Sequence, residues 1–315
     1  MIQESHIDAA IKELFANLKF TDEPKGLYDP LRYMMEIGGK RIRPRLCLTA
    51  YSLFKDSFCD EILSPAAALE VFHSFTLIHD DIMDKADVRR GVPTVYRRWD
   101  ENTAILSGDA MLILAYRLMA DCPADKLKEV LAIFTRTTME ICEGQQWDME
   151  FETRMDVSVD EYIEMIRLKT SVLLAAALKI GAYLAGASVE DANKLYDFGI
   201  SMGLAFQLQD DWVDVYGDPM VFGKNIGGDI MCNKKTYMLI TALSQAGKEH
   251  HKELQRWISA VDANPSEKIA AVTHIYNVME IGKQCMEKSD EYYAKGLSIL
   301  ESVSLPADRK EGLKQ

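Results

Sequence analysis

The chain has 315 residues, 48% of them hydrophobic, enough to bury a large core in one big domain or two ordinary ones. Lysine and arginine number 36 against 49 aspartates and glutamates, a net charge of −13. That balance excludes a surface built for nucleic acid or an anionic membrane, since both demand a basic field, and it means that any anionic ligand is held by a local group of cations. The six cysteines (Cys47, Cys59, Cys122, Cys142, Cys232, Cys285) lack the paired spacing of a zinc or redox site, so they read as reduced thiols of a cytoplasmic protein. The N-terminal Met-Ile-Gln-Glu-Ser-His-Ile-Asp is acidic and does not read as a signal peptide. No stretch reaches the ~20 uninterrupted apolar residues expected of a transmembrane segment.

Proline and glycine are sparse, and no proline lies between Pro123 and Pro219, which favours long helices. The expectation is an all-α protein and, without a Pro/Ser-rich linker or a shift in composition, a single domain over residues 1–315. A helical repeat over 5–19 (Ile7, Ala10, Ile11, Leu14, Leu18) leads through a polar loop to a second helix starting near Tyr28 or Pro30 and stopping at Gly38-Gly39. Lys40-Arg41-Ile42-Arg43-Pro44-Arg45 follows, four cations in six residues of an acidic chain, and then an apolar helix from Leu46 to Phe54. The basic run is either a solvated turn or an anion site, in which the two glycines let the backbone approach a phosphate and arginine supplies paired donors.

Ser64 and Pro65 read as the N-cap and first residue of a helix that is apolar on nearly every side and ends in Asp80, Asp81 and Asp84. A buried helix that closes on three carboxylates holds like charges together unless a cation sits there. The loop beyond carries Arg89 and Arg90, which either pair with those aspartates or bind an anion. Two further helices are expected over 103–120 and 127–151, the second turning polar between Glu143 and Asp148. The helix expected over 159–185 places Lys169-Thr170 in an apolar repeat, where the amine must reach a charge partner or water. Residues 193–216 then repeat the first pattern, an apolar helix ending in Asp210, Asp211 and Asp214. Glycines and lysines again follow, through Gly223-Lys224, Gly227-Gly228-Asp229 and Lys234-Lys235-Thr236. Amphipathic helices with a break near Asn264-Pro265 complete the chain.

Two such triplets, each followed by cations, are improbable as coincidence. Oxygen-only donors with no histidine or cysteine select a hard cation, and magnesium is the usual choice where phosphates complete the octahedron. Two cation groups, Lys40 with Arg43 and Lys169 with Lys224 and Lys234, suggest two anionic substrates. Clamping a diphosphate in this way favours its departure as pyrophosphate.

In order and spacing these motifs resemble the trans-isoprenyl diphosphate synthases, also called polyprenyl synthetases. The likeness covers residues 30–240: Gly-Gly-Lys-x-x-Arg-Pro at 38–44, Asp-Asp-x-x-Asp at 80–84, Arg-Arg-Gly-x-Pro at 89–93, Gly-Asp at 108–109, Lys-Thr at 169–170, Phe-Gln-x-x-Asp-Asp-x-x-Asp at 206–214, and the Gly-Lys-x-x-Gly-Gly-Asp that begins at Gly223. The resemblance implies a single large helical bundle around a central active-site cavity, a homodimer, and head-to-tail addition of isopentenyl diphosphate to an allylic diphosphate. It implies three magnesium ions per site, with Asp80, Asp84 and Asp210 as direct ligands and Asp81, Asp211, Asp214 and Asp229 nearby. By the same likeness Lys40, Arg43, His73 and Arg90 hold isopentenyl diphosphate, and Arg89, Lys169, Lys224 and Lys234 hold the allylic diphosphate. The Thr170 hydroxyl or the neighbouring carbonyls, together with Gln207, supply negative dipoles to an allylic cation, and the released pyrophosphate takes the final proton.

The growing product is expected to run beside the first aspartate helix. At roughly 1.5 Å per residue, Phe75 lies about 7 to 8 Å from Asp80 along the axis and Phe72 about 12 Å. Bulk at these positions implies a fifteen- to twenty-carbon product, with geranylgeranyl diphosphate favoured over farnesyl. The alternatives are a longer-chain synthase, a class I terpene cyclase, whose second metal motif mixes other residue types, and a non-catalytic subunit of a heteromeric synthase, which typically loses aspartates that are all present here.

Overall fold

The computed structural model describes residues 2–20, 23–218 and 226–314. Among these, every regular element is helical except a small hairpin of two-residue strands in which β1 (Val88–Arg89) pairs antiparallel with β2 (Val92–Pro93), so the all-α expectation is met. The chain forms two compact units, one of Met1–Arg136, Ala176–Tyr196 and Glu301–Gln315, the other of Thr137–Ala175 and Asp197–Leu300.

The first unit is built on α1 (Glu4–Asn17), α2 (Lys25–Glu36), α3 (Ile42–Ser52), α4 (Asp60–Met83), α5 (Val95–Arg98) and α6 (Glu101–Met119), with α4 at its centre against α3 and α6. Ala66, Ala67, Ala68, Leu69, Val71 and Phe72 of α4 are at most 1% exposed, and small residues on both sides, including Ser107 and Gly108 of α6, let the two helices approach closely. Among the described helices α4 alone is long and apolar enough to cross a membrane, and most of its apolar stretch is buried within the protein.

Several helix starts depart from the sequence reading, α2 at Lys25 instead of near Tyr28 or Pro30 and the helix expected over 193–216 at Val189 among them, and two of the departures have a clear cause. α4 begins at Asp60 and carries Pro65 inside it, while Ser64 donates its hydroxyl to Asp121 Oδ2 at 2.8 Å instead of capping. Ile62 is fully buried and Asp60 and Glu61 suit the positive end of the helix, which together outweigh the backbone bond lost at proline. α3 begins at Ile42, inside the basic run: Arg41 takes a left-handed φ of 49° at its N-cap, and Pro44 falls in the first turn, where a backbone N–H has no helical partner.

α7 spans Leu127–Thr153. The helix expected over 159–185 is instead α8 (Val159–Ile166), a π-helical turn (Arg167–Ser171) and α9 (Val172–Leu184). Ser158 and Glu161 form a reciprocal capping box at the start of α8. Next come α10 (Val189–Tyr216), α11 (Gly228–Met231), α12 (Tyr237–Gln245), α13 (Lys248–Ser259), α14 (Pro265–Val278), α15 (Ile281–Glu301) and α16 (Ala307–Lys310). The break expected at Asn264-Pro265 is the start of α14, with Asn264 as N-cap and proline in the first turn. The second unit buries Phe151, Tyr162, Met165, Leu208, Ile275, Tyr276 and Ile281 in one apolar cluster. Within it α15 is fastened to α10 by Ser289 Oγ donating to the Ala205 carbonyl at 2.9 Å.

Candidate active site

In the first unit the chain gathers a cluster of arginines around Glu70 and His73. The glycine turn before α3 delivers Lys40, exposed, then Arg41 and Arg43, while α4 offers Glu70 and His73 one turn apart. Arg41 is fixed from three sides: Nη1 donates to Glu70 Oε1 at 3.0 Å, Nη2 donates to the Met35 carbonyl at 2.5 Å, and its guanidinium lies 4.4 Å from the centre of the Phe15 ring. Arg43 Nε and Glu70 Oε2 are buried and have no hydrogen-bond partner among the described residues. Burial pulls the Arg43 guanidinium down to about 10, with Glu70 raising it and Arg90 lowering it, so it stays charged at neutral pH. Burial, then Arg43, Arg90, Arg89 and Arg41, hold His73 well below the usual histidine range, so its imidazole is neutral. Arg90 folds back over the glycine turn, where a Cβ on Gly39 would stand 2.7 Å from its guanidinium. Gly39 has a φ of 148° and its hydrogen side chain is what admits that arginine.

The three aspartates ending α4 divide by burial. Asp81 is 1% exposed and takes hydrogen bonds from Arg89 Nε and Nη2 at 2.7 to 2.9 Å, whereas Asp80 is half-buried and Asp84 exposed, four residues apart on one face. Burial pushes the Asp81 carboxyl up, and Arg89 pulls it back. Below them on the same helix, Phe75 is half-buried and meets His79 edge to face at 4.9 Å and Phe72 at 5.4 Å. Phe72 is 1% exposed, closed in by Phe75 and by Phe134 at 5.5 Å, so its ring belongs to the core.

The second unit repeats the division. At the end of α10, Asp211 is 3% exposed while Asp210 is exposed and Asp214 half-buried. Asp211 Oδ2 accepts a hydrogen bond from the Tyr162 hydroxyl, and Oδ1 accepts one from Gln207 Nε2 at 3.2 Å. Burial pushes this carboxyl up to about 7, with Asp229 raising it and Tyr162, Gln207 and Lys234 lowering it. The π-helical turn places Lys169 and Thr170 side by side: Lys169 Nζ bonds Asp148 Oδ2 at 2.6 Å, and the Thr170 hydroxyl donates to Gln207 Oε1 at 3.1 Å. Two glycines make room for the turn, since a Cβ on Gly144 would stand 2.5 Å from Lys169 N and one on Gly203 2.7 Å from Ser171 Cα. Asp214 accepts the Asp229 backbone N–H at 3.0 Å and so seats the start of α11, and Lys234 is exposed just beyond that helix. Buried Lys268 holds the same turn from beneath, donating to Asn233 Oδ1 at 2.7 Å and the Met231 carbonyl at 3.3 Å. Lys224 lies outside the described residues.

The sequence reading did not assign Asp148, Tyr162 or Glu70. Two signals for them existed: a lysine in an apolar repeat requires an acid, and the polar end of α7 offered Asp148. Tyr162 gave none, because a tyrosine at a buried position of a helix is ordinarily core.

The exposed and half-buried carboxylates fit a hard cation by donor type. Among the described residues no three of His, Cys, Asp or Glu stand close enough to hold a metal ion unaided. An ion at Asp80 and Asp84, or at Asp210 and Asp214, would therefore need oxygens from a bound phosphate to complete its coordination.

A model of the polyprenyl synthetase family matches residues 24–279. The chain is 42% identical over 248 residues to a geranylgeranyl diphosphate synthase of Methanosarcina mazei, covering 78% of this chain and 75% of that one. It is 40% identical over 269 residues to a geranylfarnesyl diphosphate synthase of Natronomonas pharaonis, covering 78% and 79%. The crystal structure of a geranylgeranyl pyrophosphate synthase matches with a TM-score of 0.93 at 43% identity, over 99% of this chain and 96% of that one. That of a geranylgeranyl pyrophosphate synthetase from Pyrococcus horikoshii matches at 0.86 and 31%, over 98% and 92%. All-α architecture, two Asp-Asp-x-x-Asp helix ends and these likenesses define a prenyltransferase with the isoprenyl synthase fold. The chain belongs to the polyprenyl synthetase family.

Proposed function

We propose that the chain joins isopentenyl diphosphate head-to-tail to allylic diphosphates, releasing pyrophosphate, with twenty-carbon geranylgeranyl diphosphate as the main product. The observation that carries this reading is the buried, unpartnered Arg43 Nε beside His73, Arg41, Arg89 and Arg90 in a protein of net charge −13. A desolvated donor among four guanidiniums is an anion site, and a diphosphate supplies the acceptors it lacks.

Lys40, Arg43, His73 and Arg90 bind isopentenyl diphosphate, and Arg89, Lys169, Lys224 and Lys234 bind the allylic diphosphate. Asp80, Asp84 and Asp210 hold magnesium, three ions per site, with Asp81, Asp211, Asp214 and Asp229 alongside. Bound magnesium neutralises the charge that develops on the departing pyrophosphate. Thr170 Oγ1 and Gln207 Oε1 turn negative dipoles toward the allylic carbon as it becomes cationic. Residues 1–315 act as one synthase domain.

Product length follows from Phe75, the half-buried ring on the face of α4 that leads away from Asp80. The names of the Methanosarcina and Natronomonas relatives support products of twenty and twenty-five carbons. A homodimer is supported by α6, which leaves Ile105, Leu106 and Ile113 40 to 70% exposed along one side. Six free cysteines accord with a cytoplasmic protein.

The test is incubation of the purified protein with magnesium, isopentenyl diphosphate and each of dimethylallyl, geranyl and farnesyl diphosphate, followed by chromatography of the products. Geranylgeranyl diphosphate is expected from each primer. No turnover with any primer defeats the synthase reading, and turnover of geranylgeranyl diphosphate without isopentenyl diphosphate would make the chain a cyclase.

A further inference from the structure

In the second unit a continuous line of hydrogen bonds runs from the core to Thr170. The Tyr162 hydroxyl donates to Asp211 Oδ2, Gln207 Nε2 donates to Asp211 Oδ1 at 3.2 Å, and the Thr170 hydroxyl donates to Gln207 Oε1 at 3.1 Å. Its inner members are fully enclosed, Tyr162 at 1% exposure and Asp211 at 3%, while Gln207 and Thr170 are half-buried. The two oxygens of Asp211 accept from the Tyr162 hydroxyl and the Gln207 amide, and whenever the carboxyl is ionised it can only accept, so both groups aimed at it must then present hydrogens. That requirement fixes which way round the Gln207 amide lies. Its NH₂ is committed to Asp211, and its oxygen is left on the side of Thr170. A glutamine free to turn would offer NH₂ there in part of the population and would repel a developing cation instead of stabilising it.

We infer that Tyr162 and Asp211 are positioning residues that set the orientation of the Gln207 amide and, through it, the Thr170 hydroxyl, and that Asp211 serves this arrangement instead of ligating metal. The inference rests on the synthase reading above and deepens it. Three features of the fold support it. Asp211 is the buried member of its triplet, whereas Asp210 is exposed. Each of its oxygens accepts a hydrogen bond from a protein donor that holds the carboxyl in place. The π-helical turn that presents Thr170 to Gln207 is itself accommodated by Gly144 and Gly203, so the backbone is shaped to bring these two side chains together. Single π-turns inside α-helices are frequent at functional sites.

The experiment is a double-mutant cycle between Tyr162→Phe and Gln207→Ala on the full-length protein, with magnesium pyrophosphate binding measured by calorimetry. Tyr162→Phe is expected to lower kcat about ten- to a hundredfold, as misplacement of a reacting group does, with KM for the allylic substrate and magnesium half-saturation within about twofold of wild type. In the Gln207→Ala background the same change is expected to alter kcat by less than about twofold, because the amide it orients is gone. Magnesium pyrophosphate binding stays as in wild type for Tyr162→Phe and is lost for Asp210→Asn. Should Tyr162→Phe fail to fold, Asp211→Asn enters the same cycle, with the same non-additivity and the same unchanged binding expected. Additive effects on kcat, or weakening of magnesium pyrophosphate binding by Asp211→Asn as large as that by Asp210→Asn, overturns the inference. Wild-type protein that turns over no primer would instead defeat the synthase reading.

Discussion

Arg89 grips Asp81 with Nη2 2.7 Å from Oδ1 and Nε 2.9 Å from each carboxylate oxygen. The aspartate side chain is 2% exposed and the arginine 26%, so the pair is anchored on a buried charge. Removing the arginine alone leaves that charge desolvated without its donors. Arg89→Ala is therefore expected to destabilise the protein by about 2 kcal/mol, seen as a lower urea midpoint. The exposed pair Arg97 and Asp87, at 52% and 72%, supplies the control, and Arg97→Ala should leave the midpoint where it is. Equal midpoints for the two variants would contradict the assignment of Asp81 as a structural anchor.

The π-helical turn makes a separate prediction through glycine. A Cβ at Gly144 would meet the Lys169 backbone nitrogen at 2.5 Å, and backbone cannot swing aside as a flexible side chain does. Gly144→Ala must shift Lys169 and Thr170 together. The expected cost is about 1 to 3 kcal/mol of stability for the overpacking and about a hundredfold in kcat for the displacement. Thermal melting and steady-state kinetics read the two effects separately. A variant with normal kcat would show that the close approach has no bearing on the site.

Much of this was legible in the sequence, for a physical reason. Carboxylates at the end of an apolar helix are an energetic conflict visible without coordinates, and its repetition at Asp210, Asp211 and Asp214 marked both helix ends. The conflict does not say which carboxylate turns inward, because one residue of shift on a helix rotates a side chain by about 100° and burial depends on the neighbours. Asp81 and Asp211 are the buried ones because Arg89 and Tyr162 are there to receive them. The π-turn at Arg167–Ser171 was illegible for a similar reason: the room for it is made by Gly144 and Gly203 on other helices, and nothing in the local pattern of residues 159–185 departs from an ordinary α-repeat. Ser64-Pro65 misled in the opposite direction, since a good local start signal lost to the buried contact of Ile62.

The aromatic contacts on α4 refine how product length can be altered. Phe75 is the half-buried ring, and Phe72 stands behind it at 1% exposure, packed on Phe134. Phe75→Ala is expected to lengthen the main product by about one or two five-carbon units at little cost to folding. Phe72→Ala opens the core instead, and should cost about 3 kcal/mol or more while changing product length little so long as Phe75 remains. Chromatography of products and urea unfolding of both variants separate these outcomes. An unchanged product from Phe75→Ala would remove this ring as the stop.

His73 links the cation cluster to pH. Its folded-state pKa lies well below the unfolded value of 6.5, because burial and then Arg43, Arg90, Arg89 and Arg41 oppose the imidazolium. As pH falls through 6.5 the unfolded chain gains a proton that the folded chain refuses, so more protons are bound in the unfolded state and stability drops with falling pH down to the depressed pKa. Above 6.5 the imidazole is neutral in both states and contributes no slope. The buried carboxyls Asp81 and Asp211, whose pKa values are raised, work in the opposite sense, but they do so in wild type and in His73→Gln alike. The loss of urea midpoint between about pH 7.5 and pH 5.5 should therefore be larger for wild type than for His73→Gln. Occupancy of the cluster by pyrophosphate brings negative charge to the imidazole and raises its pKa, so saturating pyrophosphate should shrink the difference between the two proteins. Parallel curves with and without pyrophosphate would mean that His73 does not face the anion.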